Sequence, residues 1–185
     1  MKENNHGQSK IVSVIWGFVI LLAVGIILML AIEKPTDDSR IKIPRGFKAR
    51  EADGGIARMD EYFHSSLIMM VHGGIWDPAS REQLKVVREI HGTYRHRGLT
   101  VFYVGQGDPS IGELRNYKHQ NGFTFDFFPH DNDLMKVLGL KRILPHITLL
   151  DREGRVLEKL QGLTSRDLLD SAVKKHLPRA HQKGD

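Results

Sequence analysis

Strand-like and helix-like patterns alternate through most of this chain, and that alternation limits the folds open to it. Apolar runs at residues 65–74 and 99–105 predict two buried strands. Between them, Leu84, Val87 and Ile90 recur at three- to four-residue spacing in a helix predicted from Pro78 to about residue 97. The full predicted order is β-α-β-α-β-α-β-β-α, with further helices at 110–121, 132–140 and 164–177. This order predicts an α/β fold with a central mixed sheet flanked by helices.

A different pattern precedes these elements, because residues 11–32 form an apolar run without a single charge. At 1.5 Å per residue, about 22 helical residues reach roughly 33 Å, enough to cross a bilayer core. The run therefore predicts one transmembrane helix. A cleaved signal peptide and a buried soluble helix are the alternatives; the sequence after the run lacks a good small-x-small cleavage site.

These patterns predict a division of the chain into five parts. Residues 1–10 form an N-terminal tail, 11–32 the membrane span, 33–45 a tether, 46–178 the folded domain and 179–185 a C-terminal tail. Lysine and arginine lie on both sides of the span, so the positive-inside rule does not orient it.

Composition excludes several functions. The chain of 185 residues has no cysteine, which rules out disulfides, thiolate nucleophiles and cysteine-ligated metal centres. The formal net charge of +5 is spread along the chain without a Lys/Arg block, so nucleic acid is not an expected partner. A weak attraction to anionic lipid headgroups is the simpler interpretation of this excess.

The segment "GGIWDPAS", residues 73–80, predicts the start of a helix. Asp77 is a favoured N-cap residue, and Pro78 suits the first helical position because its missing N–H costs nothing there. Ser80 falls in the first turn, where a local hydrogen bond is expected.

Several segments, in order, resemble the membrane-anchored thioredoxin-like proteins of the TlpA/ResA type. "IPRGFKAREADGGIARMDEYF" is similar to the family's opening hairpin, and "LIMMVHGGIWDPAS" to the strand that leads into Trp-Cys-Pro-Pro-Cys. "RGLTVFYVG" is similar to the second strand, and "LGLKRILPHITLLDREGRV" to the segment with a Gly-x-Pro before a strand and an Asp-x-x-Gly turn. The layout also resembles the anchored thiol–disulfide proteins of cytochrome c maturation.

The resemblance implies a thioredoxin-like fold and a degenerate active site. Trp76 and Pro78 match the family pattern, whereas Asp77 and Ser80 stand where the two reactive cysteines would be. Pro145 corresponds to the family's cis-proline, beside which extended peptides bind. The expected binding groove comprises Trp76, Asp77, Pro78, Ser80, Leu144 and Pro145.

The expected function is therefore a redox-inactive protein-binding, assembly or maturation factor for a cell-envelope complex. Neither a carboxylate nor an alcohol performs thiol–disulfide exchange, so we expect a chain that is not an enzyme and needs no cofactor. Its partners would be the membrane, through a single span, and a protein in or near it. The localisation implied is the cell membrane with the domain on the periplasmic side.

Two other functions stay open from the sequence. His72 and His146, with Asp77 and His130 as neighbours, are candidate ligands for copper or haem handling, although no local His pair fixes such a site. A non-thiol enzyme that uses Asp77 as an acid or base is the other alternative.

Overall fold

The computed structural model describes residues 41–43, 48–65, 67–140 and 143–177, and the fold is built from these. A five-stranded mixed sheet forms its centre, in the order β5-β4-β3-β6-β7. Its strands are β3 (Leu67–Gly73), β4 (Leu99–Gly105), β5 (Asp126–Phe128), β6 (His146–Leu150) and β7 (Val156–Gln161). Strands β3, β4 and β5 are parallel, whereas β6 is antiparallel to both β3 and β7. The predicted α/β class with a mixed sheet is confirmed.

A short hairpin lies outside this sheet, formed by β1 (Lys48–Arg50) and β2 (Ile56–Arg58). Its connecting residues 51–55 include Asp53 and Gly54, within the segment whose resemblance implied a hairpin. Helix α1 (Met59–Tyr62) follows it directly.

Four longer helices connect or follow the strands. They are α2 (Pro78–Tyr94), which continues into a 3-10 turn at Arg95–Arg97, α3 (Ile111–Gln120), α4 (Asn132–Leu138) and α5 (Arg166–His176). Each begins at a side-chain cap: Asp77, Ser110, Asp131 and Ser165. The last helix is capped by Ser165, which accepts from the Leu168 N–H, and Thr164 is not its N-cap. The Thr164 N–H instead donates to Gln83 Oε1 at 2.6 Å.

Side chains alternate between the two faces of the sheet, and each face has its own apolar core. On the first face, Leu67, Met69 and Val71 of β3 pack with the buried sides of α2 and α5. On the second face, Ile68 and Met70 pack with α4 and the hairpin. Because β3 lies at the centre and both its faces are covered, all seven of its residues are buried.

A polar network joins the hairpin to the sheet edge formed by β5. The side chain of Lys118 on α3 is only 7% exposed and pairs with Asp53 of the hairpin and, at 3.7 Å, with Asp126 of β5. The Tyr62 hydroxyl donates to Asp126 Oδ2 at 2.7 Å. The hydrogen bond from Lys118 is the main reason that the pKa of Asp53 is lowered from its ordinary value.

The predicted span at 11–32, the tails at 1–10 and 179–185, and most of the tether at 33–45 lie outside the described residues. Within the described ranges, no helix has the length and apolar character needed to cross a membrane.

Candidate functional site

The candidate site lies at one end of the sheet, where β3 ends at Gly73, β4 ends at Gly105 and β6 begins at His146; we call this the site edge. Cross-strand partners place these ends together, since His72 is opposite Val104 on one side and His146 on the other. The turn that starts α2 and the Leu144–Pro145 peptide both extend from this edge.

Asp77 is the N-cap of α2, as predicted. Its backbone is extended, with φ −85° and ψ 123°, and Oδ2 accepts a 2.8 Å hydrogen bond from the Ser80 N–H. Pro78 follows at the first helical position, where it lacks only a donor that the helix does not use. The helix dipole favours a negative charge at this position.

Ser80 is bound to the same carboxylate by its side chain. Its hydroxyl donates to Asp77 Oδ2 at 2.6 Å and accepts from the Gly74 N–H at 3.2 Å. The residue is 1% exposed, and a Cβ at Gly73 would come within 2.7 Å of its Oγ. Backbone and helix therefore enclose the hydroxyl, so a substrate has no access to it as a nucleophile.

Trp76 is the exposed part of this turn. Its ring is 59% exposed, and Nε1 donates to the Gln106 carbonyl at 3.2 Å. The ring lies over two glycines, because a Cβ at either Gly74 or Gly107 would approach it to 2.7 Å. The Trp76 ring therefore packs closely against the backbone at these two glycines.

Pro145 is preceded by a cis peptide bond from Leu144, as the resemblance implied. The Pro145 carbonyl accepts from the Gly162 N–H at 2.8 Å, which joins the start of β6 to the end of β7. Two exposed apolar side chains flank this connection, Ile143 before the proline and Leu163 after Gly162. The sequence did not single out these two, because an isolated Ile or Leu in a loop carries no pattern.

The candidate metal ligands lie elsewhere. His72 and His146 project to the second face of the sheet, with Met70 and Thr148, whereas Ser80 and Asp77 lie on the first face with Tyr103. The expected grouping of these histidines with Asp77 is therefore wrong. His72 instead stacks between His130, at 5.9 Å between ring centroids, and His146, at 6.3 Å.

This histidine stack does not have the geometry of a metal centre. Ligand nitrogens converge on a metal at about 2.0–2.1 Å, whereas these rings lie face to face with interplanar angles of 30° and 25°. Within the part of the chain that the structure describes, no three His, Asp or Glu side chains are arranged to hold a metal ion. Burial, with smaller effects from His130 and His146, lowers the pKa of His72 to about 4, and the Gln106 side chain opposes this shift.

Comparisons with known proteins point to one fold. The chain is 22% identical over 107 residues to the thiol-disulfide oxidoreductase ResA of Bacillus thuringiensis (strain Al Hakam) and to that of Bacillus anthracis. The match covers 57% of this chain and 60% of each ResA. No protein-family model matches the chain.

Solved structures agree with the sequence relatives. A thiol:disulfide interchange protein of the thioredoxin family from Chlorobium tepidum TLS superimposes with a TM-score of 0.63 and 18% identity, covering 75% of this chain and 98% of that one. The thioredoxin domain of a thiol-disulfide oxidoreductase from Bacteroides vulgatus gives a TM-score of 0.60 and 16% identity, covering 74% and 99%. The described domain has the thioredoxin-like fold. Its relatives in sequence and in structure are named as thiol–disulfide oxidoreductases of the ResA type and similar proteins.

The comparisons correct one prediction about this thioredoxin-like domain. The comparisons contradict the expectation that the chain is not an enzyme, because the matching proteins are named as oxidoreductases or interchange proteins. Thiol catalysis nevertheless has no support in this chain, since its sequence has no cysteine.

Proposed function

We propose that this chain is a membrane-anchored thioredoxin-like protein that performs no dithiol exchange of its own and holds a partner protein at the site edge. The binding groove would lie between the Trp76–Ser80 turn and the Leu144–Pro145 peptide. Its role would be the assembly or maturation of a cell-envelope complex, with the domain on the periplasmic side of the membrane.

One observation carries this proposal. At the positions of the expected reactive pair, Asp77 and Ser80 hydrogen-bond to each other, while the neighbouring Trp76 is 59% exposed. Ser80 and Oδ2 of Asp77 are thus used in starting the helix, which leaves the large aromatic ring and a partly exposed carboxylate for contact. Tryptophan is among the residues that contribute most to binding when a partner buries them.

The surroundings of Trp76 support a protein partner rather than a small solute. Ile143 and Leu163 add exposed apolar surface beside Pro145. The orientation of the Trp76 ring is fixed by its hydrogen bond to the Gln106 carbonyl. A rigid aromatic anchor loses little conformational entropy when a partner covers it. The carboxylate of Asp77 would favour a partner with a cationic or hydrogen-bond-donating group near the apolar contact.

The membrane part of the proposal rests on the sequence of residues 11–32. Their apolar character and length suit a bilayer span. The side of the membrane is testable with a reporter fused after Asp185, and we expect activity of a reporter that functions only in the periplasm.

The groove is testable by affinity purification of the full chain from a mild detergent. We expect a Trp76→Ala, Asp77→Arg double variant to recover its partner about 30-fold less than the parent, the scale of a hot-spot loss of about 2 kcal/mol. The matched control is Ile56→Ala, which removes an apolar side chain of comparable exposure from the hairpin. Equal recovery by the parent and both variants would show that the site edge is not the binding surface.

A further inference from the structure

The end of the sheet opposite the site edge collects exposed cations. Strands β3 and β4 begin there, with Leu67 opposite Leu99, and β6 turns into β7 there through residues 151–155. We call this the strand-start end. The 3-10 turn Arg95–Arg97 lies at this end because it leads directly into β4.

Three of these cations have no carboxylate partner within the described ranges. Lys42, Arg95 and Arg97 are exposed; Arg97 lies over the Tyr94 ring at 5.1 Å, and Arg95 bonds only to the neighbouring His96. Arg152 and Arg155 add two more exposed guanidinium groups, which share Asp151 and Glu153. The strand-start end therefore has an excess of positive charge.

The site edge has a different charge pattern. All four long helices begin there, and their caps and first turns hold five carboxylates, with Arg81 and Arg166 as nearby cations. These carboxylates are Asp77, Glu113, Asp131, Asp133 and Asp167. The lysines in the last turns of these helices pair with carboxylates and therefore add little net charge. Net positive charge thus lies at the strand-start end and net negative charge at the site edge. An anionic surface would therefore attract the strand-start end of the domain.

The first described residues, 41–43, lie beside the strand-start end and run antiparallel to the start of β7. The Ile43 N–H donates to the Gly154 carbonyl at 3.0 Å, and the Val156 N–H to the Ile41 carbonyl at 3.0 Å. Only residues 33–40 separate Ile41 from the predicted span, and eight residues reach at most about 29 Å. Lys42 therefore lies beside the strand-start end, ten positions after the last residue of the predicted span.

We propose that the strand-start end docks onto an anionic phospholipid surface through Lys42, Arg95 and Arg97, which leaves the site edge facing away from the bilayer. This inference rests on the proposed membrane anchoring. Each basic residue near an anionic surface contributes about 1 kcal/mol to docking, and the attraction falls within about 10 Å at ordinary ionic strength. Docking would present Trp76 to partners that extend from the membrane.

The test measures amine-labelling rates of the full chain in proteoliposomes. In vesicles with about one third phosphatidylserine, we expect Lys42 to be labelled at least fivefold more slowly than in phosphatidylcholine alone, with Lys85 unchanged as an internal reference. Arg95→Gln with Arg97→Gln should weaken docking about 30-fold and restore the Lys42 rate to within twofold. The matched control, Arg81→Gln with Arg166→Gln, removes the same charge at the site edge and should keep the protection.

The outcomes separate docking from anchoring. Equal Lys42 labelling in both lipids, or equal protection in both double variants, overturns the docking proposal. Protection by millimolar inorganic phosphate in phosphatidylcholine vesicles also overturns it, because it would indicate an anion site rather than a lipid surface. Resistance to alkaline carbonate extraction is measured in parallel. Loss of that resistance overturns the anchoring, whereas retained resistance with unprotected Lys42 overturns docking alone.

Discussion

Burial of His72 makes the stability of the domain depend on pH. The residue is 2% exposed and lies between two other imidazoles, so a proton on its ring gains little solvation and meets the rings of His130 and His146. Its pKa falls to about 4 from an ordinary value of 6.5. We predict that His72→Leu, a substitution of similar size, makes the free energy of unfolding less dependent on pH between about pH 6.5 and 4.

The sign and size follow from proton linkage. Below about pH 6.5 the unfolded chain binds a proton at His72, whereas the folded domain binds it only near pH 4, so stability falls as the pH falls through this window. A difference of 2.5 pKa units corresponds to about 3 kcal/mol in total, or about 1.4 kcal/mol for each pH unit. Above pH 6.5 the contribution is complete and constant.

Urea unfolding of the full chain in a neutral detergent, followed by circular dichroism, measures this effect. Between pH 6.5 and 4.5, the free energy of unfolding of the parent should fall by about 2 kcal/mol more than that of His72→Leu. His96→Leu, which removes an exposed imidazole, should follow the parent. Parallel profiles for the parent and His72→Leu would refute the reasoning, because they would mean that His72 takes up its proton in the folded state.

Three further experiments test the site and its support. Asp77→Cys with Ser80→Cys should form a disulfide under mild oxidant, seen as loss of both thiols by titration, because the two native side chains already meet at 2.6 Å. Lys118→Met should lower the free energy of unfolding by about 2 kcal/mol, since it leaves two partly buried carboxylates without their cation. Gly154→Ala should cost more than Gly139→Ala in urea unfolding: both have positive φ, but only at Gly154 would the new Cβ meet an aromatic ring, at 2.8 Å.

Each of these has a contrary outcome. Two thiols that stay free under oxidant would mean that the turn does not bring positions 77 and 80 together. For Lys118, the control is Lys85→Met, which breaks an exposed pair with Glu82 and should have no measurable effect. If Lys118→Met lowered the free energy of unfolding no more than Lys85→Met, the network at the hairpin would add nothing to stability. If Gly154→Ala and Gly139→Ala lowered it equally, the contact with the ring would be excluded.

The candidate site was predictable only where local sequence determines local structure. Asp77 and Pro78 mark a helix start by themselves, because capping depends on residues three or four apart along the chain. The cis peptide at Pro145 came from the resemblance. Ile143 and Leu163 escaped prediction because their exposure beside Pro145 depends on how two distant loops meet.

The sequence by itself determined the alternation of strands and helices, their approximate bounds, the absence of sulfur chemistry and an apolar segment long enough for a membrane. Periodicity and composition carry these properties, and neither needs distant contacts. Only the tertiary structure decided the face to which each strand residue points and which residues meet across strands. It placed His72 and His146 on the face away from Asp77, because side chains alternate along β3 and a one-residue offset reverses their direction. It also brought Lys42 to the same end of the sheet as Arg95 and Arg97, which lie far from it in the chain, since strand register brings together residues that no sequence spacing connects.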